Sequence, residues 1–125
     1  MLTINKIFPQ EKIPEKTESF LFFDIETTGF SRDNTILYLI GCGYFAEEGF
    51  QFIQWFNDDG TSEEEILLAF QNILSKKDWQ LVTFNGNSFD IPYLKRHYDL
   101  NELTCDIEKY PSLDFYQFLK PFQNL

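Results

Sequence analysis

Short stretches of apolar residues, some alternating with polar ones, recur along the chain and predict β-strands. Residues 20–25 form the first stretch, and residues 35–45 and 49–56 flank a Glu-Glu connection that is typical of a hairpin. Residues 81–84 form a shorter run that predicts a buried strand. The pattern therefore predicts four strands in the central part of the chain.

Two other segments carry apolar residues at helical spacing. After an Asp-Asp-Gly turn, Ser62 followed by three glutamates predicts a capping box at a helix start. Pro92 is compatible with a helix only in its first turn, so the second helix is expected to begin near Phe89. Helices that follow and separate strands in this way predict an α/β fold. The apolar positions of the first helix are Ile66, Leu67, Phe70, Ile73 and Leu74.

Residues 1–18 contain two prolines and several charged side chains, and we expect them to form an extended lead-in. Ile4, Ile7 and Phe8 are the lead-in residues expected to pack on the domain. That domain is expected over residues 19–125, because a chain of 125 residues with 43% hydrophobic content suffices for a single core.

Two carboxylates stand two positions apart in the first strand, in the sequence Phe23-Asp24-Ile25-Glu26. Because side chains alternate along a strand, Asp24 and Glu26 are expected to share one face of the sheet. Neighbouring acids repel each other unless a cation lies between them, and oxygen ligands favour Mg²⁺ or Mn²⁺. An edge strand with a solvated polar face is the alternative interpretation.

A third acid, Asp90, follows the buried fourth strand. The intervening Asn-Gly permits a tight turn with positive φ, and Asn87 or Ser88 is expected to cap the helix that follows. Asp90 is then expected at a helix start, facing another strand end. By itself such an acid could simply complement the helix dipole. Together with Asp24 and Glu26, it predicts a metal-binding site.

The sequence around these acids resembles a known group of nucleases. Asp24 to Gly29 is similar to the first motif of the DEDD superfamily of 3′–5′ exonucleases, and Asn85 to Asp90 is similar to the second. From about residue 20 onward, the chain resembles most closely the bacterial ribonuclease-H-like family called YprB. This resemblance implies a ribonuclease-H-like mixed sheet with flanking helices. Further likeness lies at residues 39–43, 63–65, 81–86 and 112–115.

The resemblance implies hydrolysis of phosphodiester bonds with two Mg²⁺ or Mn²⁺ ions about 3.5–4 Å apart. Asp24 would contact both ions, and Glu26 and Asp90 would each hold one. The substrate would be DNA or RNA with a single-stranded end, and one aromatic ring beside the first motif would stack on a base. The residues expected to hold the terminal nucleotide are Thr27, Thr28, Phe30 as the stacking ring, and Asn85.

The sequence departs from the DEDD pattern at the fourth acid. Tyr110 and Asp114 formally fit Tyr-x-x-x-Asp, but Pro111 intervenes, and we expect a strand that ends with Asp114 capping the next segment. We therefore expect the C-terminal helices of the fold to be missing and the chain to be a poor nuclease or inactive. Exposed apolar surface that would favour self-association is expected near Phe115, Phe118 and Phe122.

The net charge of −10 is unusual for a nucleic-acid-binding protein, which normally carries a basic surface. Bound metal ions would offset part of this charge, and Lys95 and Arg96 are candidates for phosphate contacts. Two distant cysteines predict reduced thiols and a cytoplasmic location, and no apolar run is long enough to span a membrane. The alternative function is a non-catalytic acidic module that keeps the fold and binds metal or a protein partner.

Overall fold

Six strands and three helices follow one another in the computed structural model, which describes residues 1–9 and 19–119. The strands are β1 (Leu2–Phe8), β2 (Phe20–Thr27), β3 (Leu37–Ala46), β4 (Gly49–Phe56), β5 (Gln80–Thr83) and β6 (Ser112–Asp114). The helices are α1 (Glu63–Leu74), α2 (Asp90–Leu100) and α3 (Phe115–Leu119), with a short 3-10 turn at Ile107–Lys109.

All six strands belong to one mixed sheet with the order β1-β4-β3-β2-β5-β6. The four strands from β1 to β2 in this order pair antiparallel, whereas β5 is parallel to β2 and β6 is parallel to β5. The parallel pairs follow from the long connections that α1 and α2 provide, since a tight turn can join only antiparallel strands. The sheet therefore has an antiparallel half, β1-β4-β3-β2, and a parallel half, β2-β5-β6.

The hairpin between β3 and β4 lies where the sequence predicted it, with Glu47 and Glu48 in the connection. Gly49 begins β4 with φ +134°, a conformation that side chains with a Cβ rarely adopt. A Cβ at this position would lie 2.3 Å from the carbonyl oxygen of Phe8. Glycine is therefore required where the end of β1 passes the hairpin.

The two faces of β2 separate the core from the acids, as the alternation in the sequence predicted. Leu21, Phe23 and Ile25 are buried, whereas Asp24 and Glu26 are exposed on the opposite face. Helix α1 packs its apolar side on the buried face, where the ring centroids of Phe23 and Phe70 are 5.2 Å apart. Both tryptophans of the chain, Trp55 and Trp79, are also buried. The core thus lies on one side of the sheet and the candidate acids lie on the other.

The start of α1 differs from the predicted capping box. Ser62 is the N-cap residue, but its side chain makes no capping hydrogen bond. Its hydroxyl instead donates to Asp59 Oδ1 at 2.7 Å and accepts from the Met1 α-amino group at 3.0 Å. The capping-box prediction was wrong, because the Ser62 hydroxyl bonds to Asp59, which precedes the motif, and to the distant Met1 α-amino group.

The first residues of the predicted lead-in form part of the sheet. Leu2–Phe8 pair along their whole length with β4, so this segment is an edge strand and not only an extended approach to the domain. Residues 10–18 lie outside the described residues. The same holds for the side chain of Phe118 and for Phe122, while Phe115 is 40% exposed. Among the described helices, none is long and apolar enough to cross a membrane.

Candidate active site

The first two candidate acids stand side by side on the exposed face of β2. The strand pairs regularly with β3 through Glu26, and the register shifts between Glu26 and Thr27. A shift of this kind is a β-bulge, which bends the strand and ends regular pairing. Asp24 and Glu26 therefore precede an irregularity at the carboxyl end of the strand.

A tight turn delivers the third acid, Asp90, as the first residue of α2. Asn85 has φ +62°, as the Asn-Gly sequence predicted, and its carbonyl oxygen accepts from the Phe89 N–H at 3.1 Å. Gly86 packs so closely on Thr83 that a Cβ would lie 2.3 Å from the Thr83 hydroxyl oxygen. Phe89 is the N-cap residue and no side chain caps the helix, so the predicted cap by Asn87 or Ser88 was wrong.

Asp90 is 5% exposed and lies against Asp24. Burial and the charge of Asp24 raise the pKa of Asp90 to about 7, and the Ile25 N–H partly opposes this by hydrogen bonding to the carboxylate. One oxygen, Asp90 Oδ2, is buried without a hydrogen-bond partner. An unpartnered buried carboxylate oxygen is costly, and it favours either a proton or a cation between the two acids.

The donor set around Asp24 and Asp90 fits a hard cation in its chemistry, because it consists of carboxylate oxygens. Within residues 1–9 and 19–119, however, no three His, Cys, Asp or Glu side chains are arranged to hold a metal ion. The charges that act on Asp90 are those of Asp24 and Asp114. The structure thus brings together two of the three predicted ligands, and Glu26 stands beside them on the strand without completing a set.

Asp114 is a further functional candidate. From the sequence, we expected it only to cap the segment that follows its strand. It ends β6, is 3% exposed, and accepts a hydrogen bond from the Tyr116 N–H at 2.9 Å, which confirms the predicted capping of the segment that follows. The same carboxylate also accepts from the backbone of Asn85 and Asn87. These last contacts join residues far apart in sequence, so no local pattern could have revealed them.

The predicted substrate-binding residues lie around the acids in different ways. Thr27 Oγ1 donates to the Gly29 carbonyl oxygen at 2.6 Å, and Thr28 Oγ1 accepts from the Ile36 N–H at 2.9 Å. Both threonine side chains therefore shape the loop after β2. Phe30, in that loop, is 92% exposed and free to meet a ligand.

An open groove of about 620 Å³ lies on the sheet face that carries Asp24. Aromatic rings and two glycines form most of its lining, and none of its described lining residues is Lys or Arg. Asp24 stands at the boundary between this apolar groove and Asp90. The principal lining residues besides Asp24 are Phe22, Gly41, Gly43, Phe52, Phe84 and Phe115.

The two cations considered for phosphate contact are engaged elsewhere. Lys95 Nζ lies 3.1 Å from Glu108 Oε2, and Arg96 Nε lies 2.7 Å from Asp33 Oδ1. The Asp33 carboxylate belongs to the loop after β2, so Arg96 holds that loop against α2. Each of these two cations therefore already has an acidic partner on the surface.

The sequence model of the RNase_H superfamily matches residues 21–124. A DNA polymerase of Pyrococcus glycovorans is 35% identical over 86 residues, which are 59% of this chain and 11% of the polymerase. A DNA polymerase of Desulfurococcus sp. (strain Tok) is 34% identical over 64 residues, or 46% of this chain and 8% of the polymerase.

A solved structure shows the same fold. The family B DNA polymerase from the hyperthermophilic archaeon Pyrobaculum calidifontis superposes with a TM-score of 0.68 at 16% sequence identity. The match covers 90% of this chain and 17% of that polymerase chain. The chain thus spans roughly a tenth of the length of these two curated polymerases.

Proposed function

Because the chain belongs to the RNase H superfamily, we propose that it is a metal-dependent 3′–5′ exonuclease-like domain acting on nucleic acid. The observation that carries this proposal is a pair of carboxylates, in which the buried Asp90 lies against the exposed Asp24 and keeps one oxygen unpartnered. A stable fold avoids such a pair unless it serves a purpose, and perturbed buried acids are frequent at functional sites.

The ligands proposed for two Mg²⁺ or Mn²⁺ ions are Asp24, Glu26 and Asp90. When bound, these ions would activate a water molecule and stabilise the leaving oxygen of a phosphodiester bond. Asp90 contributes a carboxylate that gives up its proton readily near neutral pH, because its pKa is about 7. The Ile25 N–H orients that carboxylate from the backbone of the strand that carries Asp24.

Other residues of the chain would bind and orient the end of the substrate. Phe30 is proposed to stack on a base, since its ring is almost completely exposed beside the acids. Thr27 and Thr28 hold the loop that presents this ring, and Asn85 forms the turn on the other side of the site. Stacking suits an acidic chain because it does not depend on a basic surface.

The curated relatives support nucleic acid as the substrate, because they are DNA polymerases. A single-stranded end of DNA or RNA is the proposed form, and membership of the YprB-type family is proposed from the motifs at Asp24 and Asp90. A cytoplasmic location is proposed from the two free thiols, Cys42 and Cys105.

A second candidate function is an acidic module that binds a metal ion or a protein partner without catalysis. The observation in its favour is the absence, among the described residues, of three side chains arranged around one metal position. The same observation leads us to expect slow hydrolysis even if the chain is a nuclease. The two functions therefore differ in whether any metal-dependent cleavage occurs.

The discriminating experiment is digestion of 5′-labelled single-stranded DNA and RNA with Mn²⁺ present or chelated. We expect slow shortening from the 3′ end that requires the metal and falls at least about 100-fold in Asp24→Asn. The matched control is Asp78→Asn. Asp78 is exposed and is not one of the proposed site residues, so this variant should cleave like the wild type. Metal binding without cleavage by the wild type would favour the module.

A further inference from the structure

The carboxylate of Asp114 accepts hydrogen bonds from three backbone N–H groups. Its Oδ1 accepts from Asn85 at 2.7 Å and from Tyr116 at 2.9 Å, and its Oδ2 accepts from Asn87 at 3.1 Å. The residue is 3% exposed, so water does not replace these partners. Three N–H donors on one buried carboxylate make a strong, oriented set, because hydrogen bonds to an ionised acceptor are stronger than neutral ones.

Two of those donors belong to the turn that leads into α2. Asn85 has φ +62°, a left-handed conformation that asparagine tolerates better than most residues with a Cβ. The bond from the Asn85 N–H to Asp114 helps to hold this conformation. Ser112, on the same strand as Asp114, adds a bond from its hydroxyl to Asn87 Oδ1 at 2.7 Å. Strand β6 therefore forms hydrogen bonds with both asparagines of the turn, Asn85 and Asn87.

The turn is coupled rigidly to the helix that starts with Asp90. The Phe89 N–H donates to the Asn85 carbonyl oxygen at 3.1 Å, and the Ile91 N–H donates to the Gly86 carbonyl oxygen at 2.8 Å. These bonds lie immediately before and after Asp90. A shift of the turn would therefore move the Asp90 carboxylate relative to Asp24 and to the Ile25 N–H.

We propose that Asp114 is a positioning residue of the site: by fixing the Asn85–Asn87 turn, it sets where the Asp90 carboxylate stands against Asp24. The consequence for metal binding rests on the function proposed above, whereas the geometric role does not. The role proposed for Asp114 is to orient the turn and not to bind metal, because three backbone N–H groups share its two oxygens. Partners that orient ligands typically change metal affinity by about 10- to 100-fold when they are removed.

The first test uses the metal-free chain and NMR. The Ile25 amide bonds to the Asp90 carboxylate and lies on β2, far from Asp114 in sequence. We expect Asp114→Asn to change the Ile25 amide proton shift, because the repositioned Asp90 no longer accepts that bond in the same way. The matched control is Asp59→Asn, which also removes an aspartate that accepts from a backbone N–H, that of Thr61 at 2.9 Å. The control should leave the Ile25 amide shift unchanged.

A milder variant covers the case in which Asp114→Asn does not fold. Ser112→Ala removes one link to the same turn and retains the Asp114 carboxylate, so we expect a smaller change of the Ile25 amide in the same direction. An unchanged Ile25 amide in a folded Asp114→Asn chain would overturn the proposal. If Asp114→Asn is unfolded, an unchanged Ile25 amide proton shift in Ser112→Ala would overturn the proposal.

The second test measures Mn²⁺ affinity by titration at a temperature well below unfolding. We expect binding about 10- to 100-fold weaker in Asp114→Asn and unchanged in Asp59→Asn. A wild-type chain that binds no Mn²⁺ at the acids would refute the proposed function. A changed Ile25 amide proton shift in Asp114→Asn would still establish the positioning role. Wild-type affinity in a folded Asp114→Asn chain would show that the turn does not control the site.

Discussion

His97 Nδ1 lies 2.8 Å from Glu63 Oε1, which joins the last turns of α2 to the first residue of α1. The other ring nitrogen, Nε2, lies 2.7 Å from the Arg32 carbonyl oxygen in the loop after β2. The ring also stacks on Tyr93 with centroids 4.0 Å apart. One buried histidine therefore ties two helices to the loop that carries Phe30.

Glu63 is the centre of this group, since it accepts from three directions. Burial would raise the pKa of Glu63, but hydrogen bonds from His97, Asn101 and a backbone N–H hold it below its usual range. A carboxylate whose pKa is lowered in the folded state stabilises the fold above its unfolded pKa. That contribution is lost as the pH falls through the folded pKa.

We predict that Glu63→Ala destabilises the chain by about 2–3 kcal/mol at neutral pH, because it leaves buried donors without an acceptor. Urea unfolding followed by circular dichroism measures the change. Glu64→Ala is the control, since Glu64 is exposed in the same helical turn and should change stability by less than about 0.5 kcal/mol. Equal losses in the two variants would contradict the role assigned to the Glu63 contacts.

Asp90 should make the folding stability of the metal-free chain depend on pH in the opposite direction to Glu63. The pKa of this acid is raised to about 7, mainly by burial and by Asp24, so the folded state holds a proton that the unfolded state releases. The stability that this proton provides is complete below about pH 4 and is lost as the pH rises toward and through about 7.

Asp90→Asn should remove this dependence, because the amide does not ionise. At pH 8 and without metal, we predict that the variant is more stable than the wild type by about 1–2 kcal/mol. Thermal unfolding at pH 5, 6, 7 and 8 measures both curves in a buffer that contains a chelator. Parallel curves for the two chains would show that Asp90 is not buried against Asp24 as the structure places it.

Much of this architecture could be predicted from the sequence. Strand β2 and helix α1 could be predicted because period-two alternation and helical apolar spacing are local signals. The ribonuclease-H-like mixed sheet that the family resemblance implied is confirmed. The shared face of Asp24 and Glu26, opposite the buried face of β2, followed from the same alternation. Local patterns of this kind record which face of an element is buried.

Contacts between distant segments could not be predicted in the same way. The pairing of Leu2–Phe8 with β4 depends on an edge that no single segment reveals. The bonds from Asn85 and Asn87 to Asp114 join a turn to a strand almost thirty residues later. Likewise, Ser62 does not form the predicted capping bond, because its hydroxyl bonds to Asp59 and to the Met1 α-amino group instead. Local rules fail where a tertiary partner competes for the same atom.

Added Mn²⁺ should stabilise the folded chain if the acids bind it. A ligand that binds only the folded state at 100 times its dissociation constant contributes about 2.7 kcal/mol. Asp24→Asn should abolish most of the rise in melting temperature, whereas Asp78→Asn should retain it. If Asp24→Asn responds to Mn²⁺ like the wild type, the metal binds at another acidic surface.

The exposed ring of Phe30 should contribute to substrate binding and not to folding. Its side chain is 92% exposed and its described ring contact is an edge-on approach to Phe89 at 6.1 Å, so Phe30→Ala should leave the free energy of unfolding nearly unchanged. Stacking on one base contributes about 1–3 kcal/mol, which corresponds to a roughly 5- to 150-fold weaker affinity for a single-stranded oligonucleotide.

Fluorescence anisotropy with a labelled oligonucleotide, in Ca²⁺ to prevent cleavage, measures this loss. Leu68→Ala is the control, because Leu68 is 46% exposed on α1, on the side of the sheet opposite the acids. That variant should bind the oligonucleotide like the wild type. Because stacking is tolerant of sequence, the loss in Phe30→Ala should be similar for different terminal bases. Unchanged affinity in Phe30→Ala would mean that the substrate end approaches the acids from the groove beside Phe84 instead.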